Sequence, residues 1–248
     1  MGKTPSTAAG AAFAGAFPRV RVINLAQRAD RRREMEAEFA KLGLAFGDGI
    51  RLHVATRCDD AAGFPTIGTR GCFLSHLGVL EAALADDAES VLIVEDDLSF
   101  SPSEIARMAD CLAALKTQDW SIFYGGILRY GDQEQPTGVA SPLFVADPAT
   151  GIMGGHFLAM RRDAIAAAVP YLRAILTRPP GSPEGGPMHV DGAYGWLRAA
   201  RPDLVTLVAN PGLGHQRASR TDIHQLRWKD RVPVVRDVVQ WLRQARRA

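Results

Sequence analysis

The chain has 248 residues, 47% hydrophobic and 23% charged, enough to bury a substantial core in one large α/β domain. Its 29 basic and 27 acidic residues leave a formal net charge of +2, which argues against a broad nucleic-acid-binding field and leaves partners to be argued from local clusters. Three cysteines, Cys58, Cys72 and Cys111, are too few for a disulfide framework and point to a reducing cytoplasm, and no stretch reaches the roughly 20 apolar residues of a membrane-spanning helix.

In chain order, residues 1–17, "MGKTPSTAAGAAFAGAF", are rich in alanine and glycine without a persuasive export signal, and read as a flexible leader before a single domain over 18–248. "RVRVINL" (19–25) alternates and then turns apolar, as a strand does. The next stretch predicts a helix with Asp30 as N-cap, Met35, Phe39 and Leu42 on one face, and Gly43 as its stop. "IRLHVAT" (50–56) is a second strand. "GTRGCFLSHLGVLEAALADD" (68–87) is a helix with Leu77, Leu80 and Leu84 at helical spacing.

Val91 to Val94 then form a strand apolar on both faces, as inside a mostly parallel sheet covered by helices. It ends in Glu95, Asp96 and Asp97, which repel one another unless a cation, a substrate or water compensates them. Mg²⁺ and Mn²⁺ take such hard oxygen ligands; a solvated strand end is the alternative. "SPSEIARMADCLAAL" (101–115) opens with a capping box, Ser101 to Glu104, and sets Ile105, Met108, Leu112 and Leu115 in a stripe. "DWSIFYGGIL" and "LFVAD" are further strands, "GIMGGHFLAM" (151–160) a glycine-broken strand before a helix over 163–176, and 177–187 a loop rich in proline and glycine.

Several constellations carry chemistry. Of Arg28, Arg31, Arg32 and Arg33, successive helix positions let only one or two face a phosphate, and Arg28, then Arg32, are favoured. Ser75 and His76, beside Gly71, either bind a ligand or are satisfied in the core. Gly154 and Gly155 let backbone approach a ligand closely, and His156 contacts that ligand or packs. Asp191 is an N-cap or a general base toward an incoming hydroxyl. His215 offers an imidazole to a metal shell. The amphipathic carboxyl end, "VPVVRDVVQWLRQARRA", either lies on an anionic membrane surface or docks on the domain.

Taken in order, "VINLAQRADRR", "GCFLSHLGVLEAAL", "VLIVEDD", "GGHFLAMRRDA", "VDGAYGWLRAARPDL" and "QRASRTDI" resemble glycosyltransferase family 25, the bacterial lipooligosaccharide-type enzymes related to collagen galactosyltransferases. The resemblance spans about residues 20–225. It implies a GT-A fold, an α/β domain with a mixed, mostly parallel sheet flanked by helices. It also implies metal-dependent, inverting transfer of a hexose, galactose from UDP-galactose, to a hydroxyl of a glycan acceptor such as a lipooligosaccharide or lipopolysaccharide precursor. Mn²⁺ or Mg²⁺ would be held by Asp97 and Glu95, with His215 as a third ligand. The donor would be met by Asn24, Leu25, Arg28, Thr56, Gly71, Ser75, His76, Glu95, Asp96, Gly154, Gly155, Gln216 and Arg220, and Asp191 would be the base. The setting implied is the cytoplasm, peripheral to the inner membrane if the carboxyl-terminal helix binds lipid, with no nucleic acid involved. The alternatives are a nucleotide hydrolase or phosphotransferase using the same carboxylates, and a non-catalytic nucleotide-sugar or glycan-binding module. The chain departs from the family pattern at Thr69, Arg70, Gly125, Gly126 and His156, around the expected donor and acceptor pocket.

Overall fold

A computed structural model of the protein describes residues 7–47, 49–133 and 141–217. Chain order gives α1 (Ala8–Ala16), β1 (Val20–Asn24), α2 (Ala29–Lys41), β2 (Ile50–Val54), α3 (Ile67–Ala85), β3 (Ser90–Glu95), β4 (Leu98–Ser99) and α4 (Pro102–Lys116). It continues with β5 (Ile122–Tyr124), β6 (Arg129–Tyr130), β7 (Leu143–Val145), β8 (Ile152–Met153), β9 (Phe157–Arg161), α5 (Arg162–Leu176), α6 (Val190–Ala200), β10 (Thr206–Ala209) and β11 (His215–Gln216). Seven strands form one sheet in the order β2-β1-β3-β9-β5-β10-β7. β2 and β3 run parallel to β1, and β10 runs parallel to β5. β9 is antiparallel to both β3 and β5, and β7 to β10, so β9 and β7 oppose the other five strands. The sheet is mixed and mostly parallel, as expected.

The apolar run of β3 faces two cores. Val91 and Ile93 join the core that holds Phe73, Leu80, Ile165 and Leu172 of α3 and α5. Leu92 and Val94 join the one that holds Phe13, Met35, Phe39 and Leu112 of α1, α2 and α4. A strand covered by helices on both faces has no solvent side to make polar, which is why the sequence shows no alternation there. The capping box at Ser101 and Glu104 is present, with both reciprocal hydrogen bonds. Among the described residues no helix is long and apolar enough to cross a membrane.

Four expectations are corrected. Within the predicted flexible leader, Ala8–Ala16 is a helix, N-capped by Thr7, whose hydroxyl accepts from Gly10 N at 3.0 Å. Its Phe13 is fully buried against Phe17, Phe39, Phe100 and Phe157. Two buried phenylalanines outweigh the weak helix preference of the glycines, at about 1.5–3 kcal/mol of burial each. Asp30 lies in the first turn of α2, whose N-cap is Arg28. Leu84 is exposed; Ala83 carries the buried face at that turn of α3. The glycine-broken strand is two strands in different sheets, β8 pairing β6 and β9 pairing β3 and β5. The carboxyl-terminal amphipathic helix, Arg220 and residues 1–6 lie outside the described residues.

Candidate active site

Parallel sheets gather polar groups beyond the carboxyl ends of their strands. Here β1 ends in Asn24 and β3 in Glu95, and the turn Asp96–Asp97 leads into β4, which β11 covers with His215 and Gln216. Asn24 Nδ2 donates to Asp96 Oδ2 at 2.7 Å, and Arg31 of α2 reaches Asp96 Oδ1 at 3.2 Å and Asp97 Oδ2 at 3.8 Å. Gln216 Nε2 donates to Asp97 Oδ2 at 2.9 Å. The Arg217 guanidinium clasps the turn by donating to the carbonyls of Asp96 and Leu98. Asp97 is 7% exposed, and its Oδ1 has no hydrogen-bond partner among the described residues. Burial, and then the neighbouring charge of Glu95, push its carboxyl up to about 7. Burial also raises Asp96.

Glu95 has a different environment. Burial pushes its carboxyl up, but the hydrogen bond with His76 Nε2 at 3.2 Å, together with the electrostatic influence of His76, His156 and Arg31, holds it below the ordinary range. His76 is fully buried on α3, and its Nδ1 meets the Tyr194 hydroxyl at 3.2 Å. Facing Glu95 is Asp191, in the first turn of α6, whose Oδ2 accepts from Gly154 N at 2.9 Å. Gly155 lies beside both. A Cβ there would lie 3.2 Å from Asp191 Oδ1, 3.2 Å from His76 Cε1 and 3.4 Å from Glu95 Oε1. Burial, then Glu95, push the Asp191 carboxyl up to about 6. Asp191 is therefore not the N-cap, which is His189.

These groups open on a cavity of about 1320 Å³ whose lining includes Glu95, Gly155, Asp191, Trp196 and Gln216. His156 lies against it, 1% exposed, and burial lowers its basicity. The donor set at the acidic turn fits a hard divalent cation: two carboxylates on one turn, one with an orphaned buried oxygen and an acid strength a cation would restore. The expected third ligand does not join them. His215 Nδ1 is 3.0 Å from both carboxylate oxygens of Glu104, at the start of α4. Among the described residues, the group of three potential ligand atoms within 4.8 Å of one another is Cys72, His76 and Glu95.

The family model described as Glycosyltransferase family 25 (LPS biosynthesis protein) matches residues 59–139. This segment, about a third of the chain, is similar to that family. A glycosyltransferase 25 family member of Aedes aegypti is 32% identical over 142 residues, 50% of this chain and 23% of that protein. Procollagen galactosyltransferase 1 of Danio rerio is 31% identical over 132 residues, 46% of this chain and 22% of that protein. The chain thus spans less than a quarter of the length of these relatives. A solved glycosyltransferase involved in the glycosylation of the major capsid of PBCV-1 shares 11% identity over 78% of this chain and 94% of its own, with a TM-score of 0.37. The family 25 segment holds the cysteine-histidine helix and the acidic turn; Gly155 and Asp191 lie beyond it.

Of the residues that resemblance to family 25 implies, Glu95, Gly154, Gly155, Asp191 and Gln216 line the cavity, while Asp96 and Asp97 form the turn beside it, held by Asn24 at the end of β1. Others do different work. Ser75 is fully buried, donating to the Gly71 carbonyl at 2.6 Å and accepting from Thr56 N at 2.8 Å. A Cβ at Gly71 would meet the Thr56 carbonyl at 2.7 Å. Thr56, Gly71 and Ser75 therefore knit α3 to the end of β2, and the Ser75 hydroxyl is engaged within the fold. Leu25 begins the turn into α2, its carbonyl accepting from Arg28 N. The Arg28 guanidinium pairs with Asp30 at 2.8 Å while its charge also acts on Asp96, and Arg31 makes the direct contact with the carboxylates. Arg31 lies four residues before buried Met35 and eight before Phe39, so the apolar stripe of α2 was the signal that picks it out. Tyr194, Cys72 and Arg217 carried no such signal.

Proposed function

We propose that the chain is a metal-dependent, inverting hexosyltransferase that moves galactose from UDP-galactose to a hydroxyl of a glycan acceptor of the lipooligosaccharide-precursor type, in the cytoplasm. The observation that supports this best is the approach of Asp191 and Glu95 across Gly155 at one cavity, although 96 residues of sequence separate them. At about 1320 Å³ the cavity exceeds the 300–1,000 Å³ typical of small-ligand pockets, leaving room for donor and acceptor together.

With an acid strength near 6, Asp191 is mostly ionised at neutral pH yet basic enough to take the acceptor's proton as its oxygen attacks the anomeric carbon. The bond from that carbon to the diphosphate oxygen breaks on the opposite face, so the configuration inverts and no covalent enzyme intermediate forms. A divalent cation at Asp97 and Glu95 would supply Lewis-acid stabilisation of the departing diphosphate. His76 steadies Glu95, while Asn24, Arg31 and Gln216 fix the two aspartates. The Gly154 amide fixes the carboxylate of Asp191.

The test is incubation with UDP-galactose, Mn²⁺ and a truncated lipooligosaccharide, with products read by mass spectrometry. The proposal expects a hexose added to the acceptor and UDP released in equal amount. Release of phosphate or free sugar with no glycosylated product would replace it with a hydrolase, and tight donor binding without turnover by any acceptor would replace it with a binding module.

A further inference from the structure

We propose that Cys72, His76 and Glu95 form a site for a thiophilic divalent cation such as Zn²⁺, distinct in ligand chemistry from the hard-oxygen position at Asp97. Cys72 and His76 are four residues apart on α3 and so share one face, and Glu95 meets them from the end of β3. One sulfur, one nitrogen and one carboxylate oxygen lie within 4.8 Å of one another. Zinc at about 2.0–2.3 Å from each ligand needs tetrahedral ligand separations of roughly 3.3–3.8 Å, a closure that rotamer adjustment provides.

The surroundings fit as well. His76 directs Nε2 at Glu95, and its other nitrogen meets the Tyr194 hydroxyl, the outer partner that orients a metal-binding imidazole. In the bound form the ring carries its proton on Nδ1, donated to Tyr194. The carboxylates Glu95, Asp191 and Asp97 surround the Cys72 thiol with negative charge and favour a cation at the same point. Binding then exchanges the thiol proton for the metal: a sulfur–metal bond forms, and the proton passes to solvent. The fourth position faces the cavity, which both Cys72 and Glu95 line, and the missing Cβ of Gly155 keeps it open to water. Because Glu95 is shared, an ion held here draws that carboxylate away from Asp97, and the site would act as an inhibitory one.

The probe is Co²⁺ alone, added to metal-free protein and followed by absorption. In the Cys58→Ser/Cys111→Ser variant, Cys72 is the sole thiol. The expected result, there and in the wild-type chain, is one equivalent bound with a thiolate-to-cobalt charge-transfer band and tetrahedral d–d bands, all displaced by Zn²⁺. Tyr194→Phe should weaken Co²⁺ binding about 10–100-fold. Absence of the charge-transfer band in the wild-type chain, or its persistence in Cys72→Ser, would overturn the proposal. If the double variant does not fold, that wild-type and Cys72→Ser pair decides alone. No nucleotide sugar enters the measurement, so its failure leaves the proposed transfer standing.

Discussion

Asp97→Asn should make the metal-free protein more stable while removing its metal-dependent function. Between its ordinary 3.8 and about 7, the Asp97 carboxyl is protonated in the folded chain and ionised in the unfolded one. The folded state holds the extra proton across that window, so folding stability falls as pH rises through it and the full penalty is present above about pH 7. At about 1.4 kcal/mol per pH unit the interval caps the penalty at about 4 kcal/mol, and relaxation of water and of Glu95 leaves an expected gain of about 2 kcal/mol at pH 8. For a chain of this size that is a rise of about 4–8 °C in Tm. Asparagine preserves the shape, its carbonyl can accept from Gln216, and its amide takes the place of the orphaned Oδ1. The assay is chelator-treated thermal or urea unfolding of both proteins at about pH 8 and about pH 4. The gain should be present at the higher pH and nearly gone at the lower. Destabilisation at pH 8, or an equal gain at both, would refute the argument.

Other outcomes follow from the same geometry. Asp191→Asn should lower kcat on the order of 10²–10⁴-fold with donor affinity retained, and the wild-type rate should rise with pH through a midpoint near 6, a limb absent from the variant; a residual limb at that midpoint assigns the base elsewhere. Gly155→Ala places a methyl against Asp191, His76 and Glu95, so the chain should fold with near-normal far-ultraviolet circular dichroism but lose transfer and donor binding together. Phe13→Ala should cost about 3–5 kcal/mol by urea unfolding, since the ring is fully buried; a cost below about 1 kcal/mol would mean that α1 is an appendage.

Local signals were legible and tertiary ones were not. The acidic turn, the capping box at Ser101 and the apolar β3 strand are written in adjacent residues, so their positions follow from the sequence alone. α1 was concealed because alanine and glycine dominate its composition, while its information lies in Phe13 and Phe17, one helical turn apart. Ser75 reads as a ligand-binding hydroxyl until the loop after β2 brings the Thr56 amide to it, and His215 reads as a metal ligand until the β11–β4 pairing sets it against Glu104. Asp191 was recognisable by residue type and position, but its placement opposite Glu95 depends on the bend between β8 and β9 at Gly154, whose φ of +123° favours glycine.

The central claim is that Asp97 and Glu95 hold a cation which, with the cavity beside Asp191, binds a nucleotide sugar. The most direct test is thermal unfolding with UDP-galactose, Mn²⁺, both or neither, each protein compared with its own ligand-free baseline. A ligand bound only by the native state at 100 times its Kd adds about 2.7 kcal/mol. The account predicts a rise in Tm that needs sugar nucleotide and metal together and disappears in Asp97→Asn. A rise that is the same without Mn²⁺, or that survives in Asp97→Asn, would contradict it.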